Sequence, residues 1–247
     1  MSGLFSLDGR KALVTGANTG IGQAIAVSLA GQGAEVVCAG RRTCDETVAM
    51  IEAAGGTASS LILDFADPLA ARDTFTGAGY SILVNNAGII RRADSVDYSE
   101  EDWDAVIDTN LKALFFTCKA FGKALIGTGR PGAIVNIASL LSFQGGIRVP
   151  AYTASKHGMT GLTKATSLDG RKYNIACGQI DIGNAATEMA APMARGIPQA
   201  NGEIAVEPTM DVEHVAQAVV HMAELPLESN VQFMTIMATK MPFIGRG

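Results

Sequence analysis

The residues best suited to chemistry are a tyrosine and a lysine four positions apart, Tyr152 and Lys156. In a helix, residues at this spacing share one face, so the lysine lies one turn beyond the tyrosine and beside it. A phenol with a pKa of about 10 is a poor acid–base catalyst at neutral pH, and a neighbouring ammonium group stabilises its phenolate. The pair therefore predicts a tyrosine that accepts or donates a proton, although the same spacing also occurs on ordinary helix surfaces.

Two further polar residues are placed where they could join the pair. The apolar run at positions 134–138 predicts a buried strand that ends at Ser139, and strand ends in α/β enzymes present polar groups to the cleft. Asn110 lies within a long helix predicted over 97–122, whose apolar stripe indicates core or a subunit interface. Because asparagine is poorly suited to a helix interior, we expect a local reason for it there.

A glycine-rich turn near the start of the chain indicates a dinucleotide site. A buried strand is predicted at 11–15, followed by the pattern Gly-x-x-x-Gly-x-Gly from Gly16 to Gly22 and a helix over 23–31. Glycines let the backbone approach a pyrophosphate, and a helix start supplies free N–H groups. An ordinary tight turn is the alternative interpretation.

The end of the second predicted strand, at 35–39, bears on cofactor choice. A carboxylate at this point binds the 2′-hydroxyl of NAD, whereas arginine pairs with the 2′-phosphate of NADP. Here Gly40 takes the place of the acid, and Arg41 and Arg42 follow. The pattern slightly favours NADP over NAD, with plain surface charge as the alternative.

Strands and helices alternate along the remaining chain. Further strands are predicted at 60–63, ending at Asp64 beside the adenine, and at 81–84, 174–180 and 231–238, with a helix over 211–225. The alternation predicts an α/β fold: a single-domain Rossmann-like, doubly wound parallel sheet of about seven strands with helices on both faces. The segment 182–208, broken by glycine and proline, is predicted to be a substrate lid.

Composition narrows the class of protein and its partners. With 247 residues, 48% of them hydrophobic, the chain is long enough for one α/β domain with a large core. A net charge of −5 disfavours nucleic acid and anionic membranes as partners. The first residues lack the pattern of a signal peptide, so we expect a cytoplasmic protein. The four cysteines and three histidines are not grouped as ligands, and we expect no metal.

The ordered motifs together resemble the short-chain dehydrogenase/reductase family over nearly the whole chain. They are the glycine turn, Asn85-Asn86-Ala87-Gly88, Asn110, Ser139 and Tyr152-x-x-x-Lys156. The resemblance implies an NAD(P)-dependent oxidoreductase that acts on a CH–OH group of a small-molecule substrate. It also implies a homotetramer, with a homodimer as the alternative, assembled through the helices predicted over 97–122 and 152–168.

The resemblance also implies roles for individual residues. Tyr152 would be the general acid/base, Lys156 would bind the nicotinamide ribose and lower the pKa of the tyrosine, Ser139 would bind the substrate oxygen, and Asn110 would hold a water in a proton relay. Together with the arginine pair, the implied cofactor site comprises Thr15, Gly16, Asn18, Thr19, Gly20, Ile21, Gly22, Arg41, Arg42, Asp64, Phe65, Asn86, Ala87, Gly88, Tyr152, Lys156, Ile182 and Thr187.

Residues 4–164 are similar to one branch of the family, the bacterial 2-dehydro-3-deoxy-D-gluconate 5-dehydrogenases. The similarity is carried by positions 88–92 and 138–150. It implies a sugar-acid substrate in contact with Arg92, Ser139, Gln144, Arg148 and Tyr152, where an arginine would suit a carboxylate. The C-terminal third resembles a different branch: Ile180-Asp181-Ile182-Gly183-Asn184 stands where the family usually has Pro-Gly after the sixth strand, and the usual Asp-Gly-Gly near the C-terminus is missing.

Two alternatives to a sugar-acid dehydrogenase remain at the level of the sequence. One is a reductase of another small ketone or of a 3-oxoacyl substrate, which only the predicted lid would decide. The other is a non-catalytic, cofactor-binding regulatory protein. A binding protein has no use for all four of Asn110, Ser139, Tyr152 and Lys156, so their presence disfavours it.

Overall fold

Seven parallel strands form the centre of the fold in a computed structural model that describes residues 6–64, 67–199, 202–226 and 228–243. The order across the sheet is β3-β2-β1-β4-β5-β6-β9, and a two-residue antiparallel pair, β7 and β8, lies apart from it. The strands are β1 (Lys11–Thr15), β2 (Glu35–Gly40), β3 (Thr57–Ile62), β4 (Ile82–Asn85), β5 (Gly132–Ile137), β6 (Ile175–Ile182), β7 (Ile197–Pro198), β8 (Ile204–Ala205) and β9 (Phe233–Ile236).

Helices cover both faces of this sheet. One core layer joins the sheet to the first and last helices through residues such as Ile25, Leu29 and Val219. The other contains Phe121, on a central helix, and Met159, on the helix that carries the tyrosine. The helices are α1 (Gly20–Gly31), α2 (Asp45–Ala53), α3 (Pro68–Phe75), α4 (Glu100–Ile107), α5 (Ala113–Thr128), α6 (Pro150–Gly170), α7 (Ala191–Arg195) and α8 (Val212–Glu224). The predicted doubly wound fold is confirmed.

The strand order reverses between β1 and β4, which are neighbours in the sheet although they are distant in sequence. In open parallel sheets, ligands bind beyond the carboxyl ends of the strands at such a switch point. The glycine turn after β1, Asn86 after β4 and Ser139 after β5 all follow carboxyl ends at this edge. The fold therefore brings the predicted cofactor and catalytic residues to one side of the sheet.

The long helix predicted over 97–122 is interrupted but longer than expected. Helices α4 and α5 are joined by a π-helical turn over Asp108–Lys112 and together run from Glu100 to Thr128. Ser99 caps the start by accepting a hydrogen bond from the Asp102 N–H, and Gly129 (φ 65°) ends the helix in the left-handed conformation. The two glycines at 122 and 127 did not end it, because helix packing outweighs their low propensity.

Several other boundaries differ from expectation, among them the last strand, β9, which is two residues shorter at each end than the predicted 231–238. Strand β6 continues to Ile182, two residues beyond the predicted end, and β3 starts three residues earlier than predicted. Helix α2 was not predicted, because only Thr47 and Ile51 are buried and its apolar period is too sparse. The segment after β6 is broken as expected, with a 3-10 turn at 188–190, α7, β7 and β8.

No helix in the described part of the chain is long and apolar enough to cross a membrane. In the same residues, no group of three or more histidine, cysteine, aspartate or glutamate side chains is arranged to hold a metal ion.

Candidate active site

The first turn of α1 is open to an anion. Thr19 occupies the N-cap position, but its side chain makes no capping hydrogen bond, and the first turn carries no acidic residue. The N–H groups at a helix start have no partner within the helix, and the helix dipole places partial positive charge there. This end of α1 therefore suits a pyrophosphate, as the glycine pattern predicted.

The glycines at the start of α1 and in the loop before it allow the backbone to pack closely and to approach a ligand. Gly16 (φ 66°) and Gly20 (φ 59°) adopt the left-handed conformation that glycine tolerates best. A Cβ atom on Gly22 would lie against the Gly16 carbonyl oxygen and the Asn86 side-chain nitrogen. The turn and the helix can approach this closely only without side chains at these positions.

Asn86 ties the glycine turn to the end of β4. Its Nδ2 donates to the carbonyl oxygens of Thr15 and Gly16, both at 3.0 Å. In return, the Thr15 hydroxyl accepts hydrogen bonds from the backbone N–H groups of Asn86 and Ala87, both at 2.9 Å. The side chains of Thr15 and Asn86 thus shape the cofactor turn from within, and their direct contact with a ribose stays a prediction.

Asn18 holds the loop that carries the two arginines. Its Nδ2 donates to the carbonyl oxygens of Arg42 (3.0 Å) and Thr43 (2.7 Å). A Cβ atom on Gly40 would lie against the Asn18 side-chain oxygen. An acidic residue at position 40 is therefore excluded sterically as long as Asn18 holds this loop. Arg41 and Arg42 are exposed beside it.

The remaining cofactor candidates that the structure describes lie at or beyond the carboxyl ends of β3 and β6, and all but one are placed for the predicted contact. Asp64 is exposed just beyond β3, and Phe65 lies outside the described residues. Thr187 caps the 3-10 turn, and a Cβ atom on Gly20 would come within 3.3 Å of its methyl carbon, so the segment after β6 reaches the glycine turn. Ile182 is the exception, because its side chain is buried in the core, which leaves only its backbone for the predicted contact.

Tyr152 is partly buried on the first turns of α6, next to Ser139. Removal from water raises the pKa of Tyr152, while hydrogen bonding to the Ser139 hydroxyl and the positive charge of Arg92 lower it. Ser139 also caps a short 3-10 turn, since its Oγ accepts a hydrogen bond from the Leu141 N–H at 3.3 Å. The structure thus brings the predicted tyrosine and serine together.

Lys156 is buried one turn further along α6, with 4% of its surface exposed. Its Nζ donates to the Ile137 carbonyl oxygen at 2.8 Å and lies 5.5 Å from the centre of the Tyr152 ring. Burial lowers the pKa of Lys156 to about 8, and the negative charge of Asp181 opposes the fall. The ammonium group is therefore fixed beside the tyrosine, as the spacing predicted.

Asn110 lies in the π-helical turn between α4 and α5, and only 1% of it is exposed. Its Oδ1 accepts from the Ile89 N–H (2.8 Å), and its Nδ2 donates to the Ile89 carbonyl (2.9 Å) and to Ser155 Oγ (3.2 Å). The asparagine therefore joins the loop after β4 to α6. Because the side-chain amide of Asn110 is already hydrogen-bonded, the predicted water would have to bind to a main-chain atom of the turn. The water therefore stays a prediction.

The predicted substrate arginines differ in their surroundings. Arg148 (φ 61°) is exposed and its Nε lies 3.4 Å from Asp94 Oδ1. Arg92 is also exposed, has no ion pair within the described residues, and is close enough to lower the pKa of Tyr152. Gln144 is half-buried in the loop that follows Ser139. Arg92 is thus the better placed of the two cations.

Two features of the site were not predicted. Asp181, which lies just beyond the predicted end of the strand at 174–180, is a buried residue of β6 whose charge acts on Lys156. Phe243, near the C-terminus, packs edge-on against Phe143 in the loop after Ser139, with ring centroids 5.6 Å apart. Both contacts join residues distant in sequence, so neither produces a local signal.

The fold and the glycine turn together define an α/β oxidoreductase with a site for a nicotinamide dinucleotide. The family model for short chain dehydrogenases matches residues 10–197, and the chain belongs to this family.

Several characterised or solved relatives are sugar-acid dehydrogenases by name. The chain is 44% identical over 188 residues to the 2-dehydro-3-deoxy-D-gluconate 5-dehydrogenase of Escherichia coli K12, covering 74% of each protein. A solved structure of a candidate 2-deoxy-D-gluconate 3-dehydrogenase from Agrobacterium tumefaciens, with bound NADP, is 53% identical, with a TM-score of 0.85 over 94% of this chain and 96% of that one. A candidate gluconate 5-dehydrogenase from Beutenbergia cavernae, also with NADP, is 36% identical, with a TM-score of 0.81 over 94% and 97%.

The comparisons bear on the C-terminal third. The match to the Escherichia coli protein covers about three quarters of the chain. The Agrobacterium structure, by contrast, extends over almost the whole chain. A protein of similar description therefore shares the overall arrangement that includes this third.

Proposed function

We propose that the protein oxidises a secondary alcohol of a sugar acid, or reduces the corresponding ketone, in the manner of the 2-dehydro-3-deoxy-D-gluconate 5-dehydrogenases. The observation that carries the proposal is Arg92, an exposed cation without an ion pair in the described structure, whose positive charge reaches Tyr152 and lowers its pKa. The neighbouring arginines are already engaged, Arg91 with Asp102 and Arg148 with Asp94. A free guanidinium beside the reacting group suits a substrate carboxylate.

The residues of the chain supply the proton chemistry. When bound, NAD(P) accepts or donates the hydride at the substrate carbon. In the oxidation direction, the Tyr152 phenolate accepts the hydroxyl proton while Ser139 orients the substrate oxygen and the ammonium group of Lys156 stabilises the phenolate. In the reduction direction, Tyr152 returns the proton to the developing alkoxide.

The substrate test uses a panel of 2-dehydro-3-deoxy-D-gluconate, D-gluconate and neutral ketones of similar size, each with NAD and NADP, followed by nicotinamide absorbance. Arg92→Ala is compared with Arg148→Ala, an exposed arginine whose charge is already paired. A charge-assisted contact contributes roughly 1.5–3 kcal/mol, which corresponds to about a ten- to hundredfold loss of kcat/KM on the acids. Any loss shared by acids and neutral ketones reports the effect of Arg92 on Tyr152 instead.

The carboxylate proposal fails if Arg92→Ala lowers kcat/KM by the same factor on acidic and neutral substrates. It also fails if only neutral ketones are turned over. Equal, selective losses on the acids in both variants would assign the carboxylate to the two arginines together.

A second candidate, the reduction of a less polar ketone or a 3-oxoacyl group, is supported by a different observation. Phe143 is half-exposed next to Ser139, and its ring packs against Phe243. This aromatic pair could form an apolar wall for a substrate without a carboxylate. Preference for neutral ketones in the same panel would favour this function.

NADP is the cofactor that we expect to be preferred. Position 40 has no room for the acidic side chain that would favour NAD, because the Asn18 side chain fills that space. Arg41 and Arg42 are exposed next to it, where a 2′-phosphate could pair with them. A higher kcat/KM with NADP than with NAD in the panel is the expected result. A preference for NAD would show that the arginines serve only as surface charge.

The same proposal includes a cytoplasmic homotetramer, with a homodimer as the alternative, whose interfaces involve α4, α5 and α6. The support from the structure is a group of exposed apolar side chains on these helices, among them Trp103, Phe115 and Leu168.

A further inference from the structure

A chain of buried hydrogen bonds crosses the sheet beneath α6. Asn85 Nδ2 donates to Asn136 Oδ1 (2.9 Å), and Asn136 Nδ2 donates to Thr163 Oγ1 (2.9 Å). Thr163 Oγ1 then donates to Gln179 Oε1 (3.0 Å), and Gln179 Nε2 donates to Asp181 Oδ1 (2.8 Å). None of the five residues is more than 5% exposed. Burying polar groups this deeply costs free energy unless they are hydrogen-bonded, so these side chains depend on one another for their burial.

The chain of hydrogen bonds has one direction. It begins at the Thr117 hydroxyl, which donates to Asn85 Oδ1 at 2.7 Å, and each member donates to the next. The second N–H of the Gln179 amide donates to Thr160 Oγ1 at 3.0 Å, so both of its hydrogens are used and its orientation is fixed. Burial raises the pKa of the last group, Asp181, while the hydrogen bonds from Gln179 and Ser142 and the positive charge of Lys156 oppose this rise and favour the carboxylate.

The carboxylate lies on the same face of the sheet as the catalytic lysine. Gln179 and Asp181 alternate along β6 and share one face, and this face is covered by α6, which supplies Thr160 and Thr163. Lys156 projects from the same helix to the Ile137 carbonyl, and Ile137 pairs with Ile180, the neighbour of Asp181. The carboxylate and the ammonium group therefore lie on one side of the sheet, between α6 and the ends of β5 and β6, where each charge acts on the other without a direct ion pair.

We propose that Asp181 is a positioning residue of the active site, which keeps the buried Lys156 charged and so stabilises the phenolate of Tyr152. The proposal rests on the function proposed for the tyrosine. Four groups carry the local charge: Tyr152 and Lys156 from α6, Asp181 from β6 and Arg92 from the loop after β4. Ser139 and Ser142 add neutral hydroxyls.

The direction of the effect follows from these charges. The Asp181 carboxylate raises the pKa of Lys156, which burial has lowered to about 8. Without the carboxylate, Lys156 loses its proton at a lower pH and stabilises the phenolate less. The pKa of Tyr152 then rises, and oxidation of the alcohol, which needs the phenolate, starts at a higher pH.

The test is the pH profile of kcat for oxidation of the best substrate of the panel by NADP, measured on Asp181→Asn and Asp181→Ser. In both variants, the rising limb should move up by about one pH unit or more, with kcat recovering at high pH and KM changing less. Asp181→Glu, which restores the charge, should return the limb towards the wild-type position.

Thr163→Val is the matched control. It breaks the same chain of hydrogen bonds but leaves the charge of Asp181, so it should lower the melting temperature without moving the rising limb. A shift in Thr163→Val equal to that in Asp181→Asn would assign the effect to packing and overturn the proposal.

Two further outcomes overturn it. One is a folded Asp181→Asn or Asp181→Ser enzyme in which kcat rises with pH at the same pH as in the wild type. The other is failure of both uncharged variants to fold, which would show that the carboxylate of Asp181 is needed for folding of the sheet and not for the charge of Lys156. Tyr152→Phe is measured alongside. If it is inactive, an unshifted pH profile in the Asp181 variants rejects only the role of Asp181. If Tyr152→Phe is fully active, the tyrosine mechanism itself is rejected.

Discussion

At the scale of single residues, the proposed chemistry depends on groups whose pKa values are shifted by their surroundings. Burial raises the pKa of Tyr152 and lowers that of Lys156, and neighbouring polar and charged groups oppose both shifts. In the proposed mechanism, the hydrogen bond to Ser139 and the positive charges of Arg92 and Lys156 help Tyr152 to exchange a proton with the substrate. The sequence shows these residue types, whereas their mutual positions come from three separate parts of the chain: α6, the end of β5 and the loop after β4.

The direct test at this scale is Tyr152→Phe, which removes the phenolic oxygen and keeps the packing of the ring. General acid–base catalysis contributes roughly 100- to 10,000-fold, so turnover should fall by at least about 100-fold. Binding of NADP, measured by calorimetry, should stay within a few-fold of wild type. Tyr173→Phe, a change at an exposed tyrosine on the 3-10 turn after α6, is the control and should keep full activity. Turnover near the wild-type rate would remove Tyr152 from the mechanism.

At the scale of elements, the junction of β1, α1 and β4 positions the cofactor turn. Gly22 lies where a side chain would meet the Gly16 carbonyl and the Asn86 amide. Gly31, at the other end of the same helix, has open space around it and does not need a left-handed backbone. The two glycines therefore serve different purposes, although their surroundings in sequence are similar.

We expect Gly22→Ala to destabilise the protein and Gly31→Ala to leave it unchanged or slightly stabilised. Overpacking at a closely packed site costs about 1–3 kcal/mol, which lowers the melting temperature of a protein of this size by roughly 2–10 °C. Replacing a helix glycine by alanine contributes up to about 1 kcal/mol in the opposite direction. Gly22→Ala should also weaken NADP binding, because the turn must open. Equal melting temperatures and equal NADP affinities in the two variants would contradict this account.

How much the sequence predicts differs from element to element. Strands β1, β4 and β5 are mainly apolar and are bounded by glycine or polar residues, and their boundaries were predicted within two residues. The end of β6 was not, because Gln179 and Asp181 alternate with isoleucines and such alternation normally indicates a face in water. The partners of Gln179 outside its own strand, Thr160 and Thr163, lie on α6. A buried polar chain of this kind becomes visible only when the fold has brought its members together.

At the scale of the whole molecule, the question is what covers the exposed apolar side chains of α4, α5 and α6. Trp103 is 42% exposed, Phe115 45% and Leu168 62%. Phe115 also packs edge-on against Phe116, with Lys119 near both rings, which widens the patch. Apolar patches rimmed by polar residues often mark protein–protein interfaces.

We expect the wild-type protein to sediment as a tetramer or dimer at micromolar concentration, and Phe115→Glu to shift it towards smaller species. In a symmetric interface the change occurs twice, and each lost phenylalanine contributes about 1.5–3 kcal/mol, so the dissociation constant should rise by roughly 100-fold or more. Met50→Glu is the matched control, because Met50 is equally exposed, at 45%, but lies on α2, which packs against α1 and β3. A monomeric wild-type protein in sedimentation velocity would reject the assembly. An unchanged oligomer in Phe115→Glu would instead place the interface on another surface, since a carboxylate cannot be buried there without a large cost in free energy.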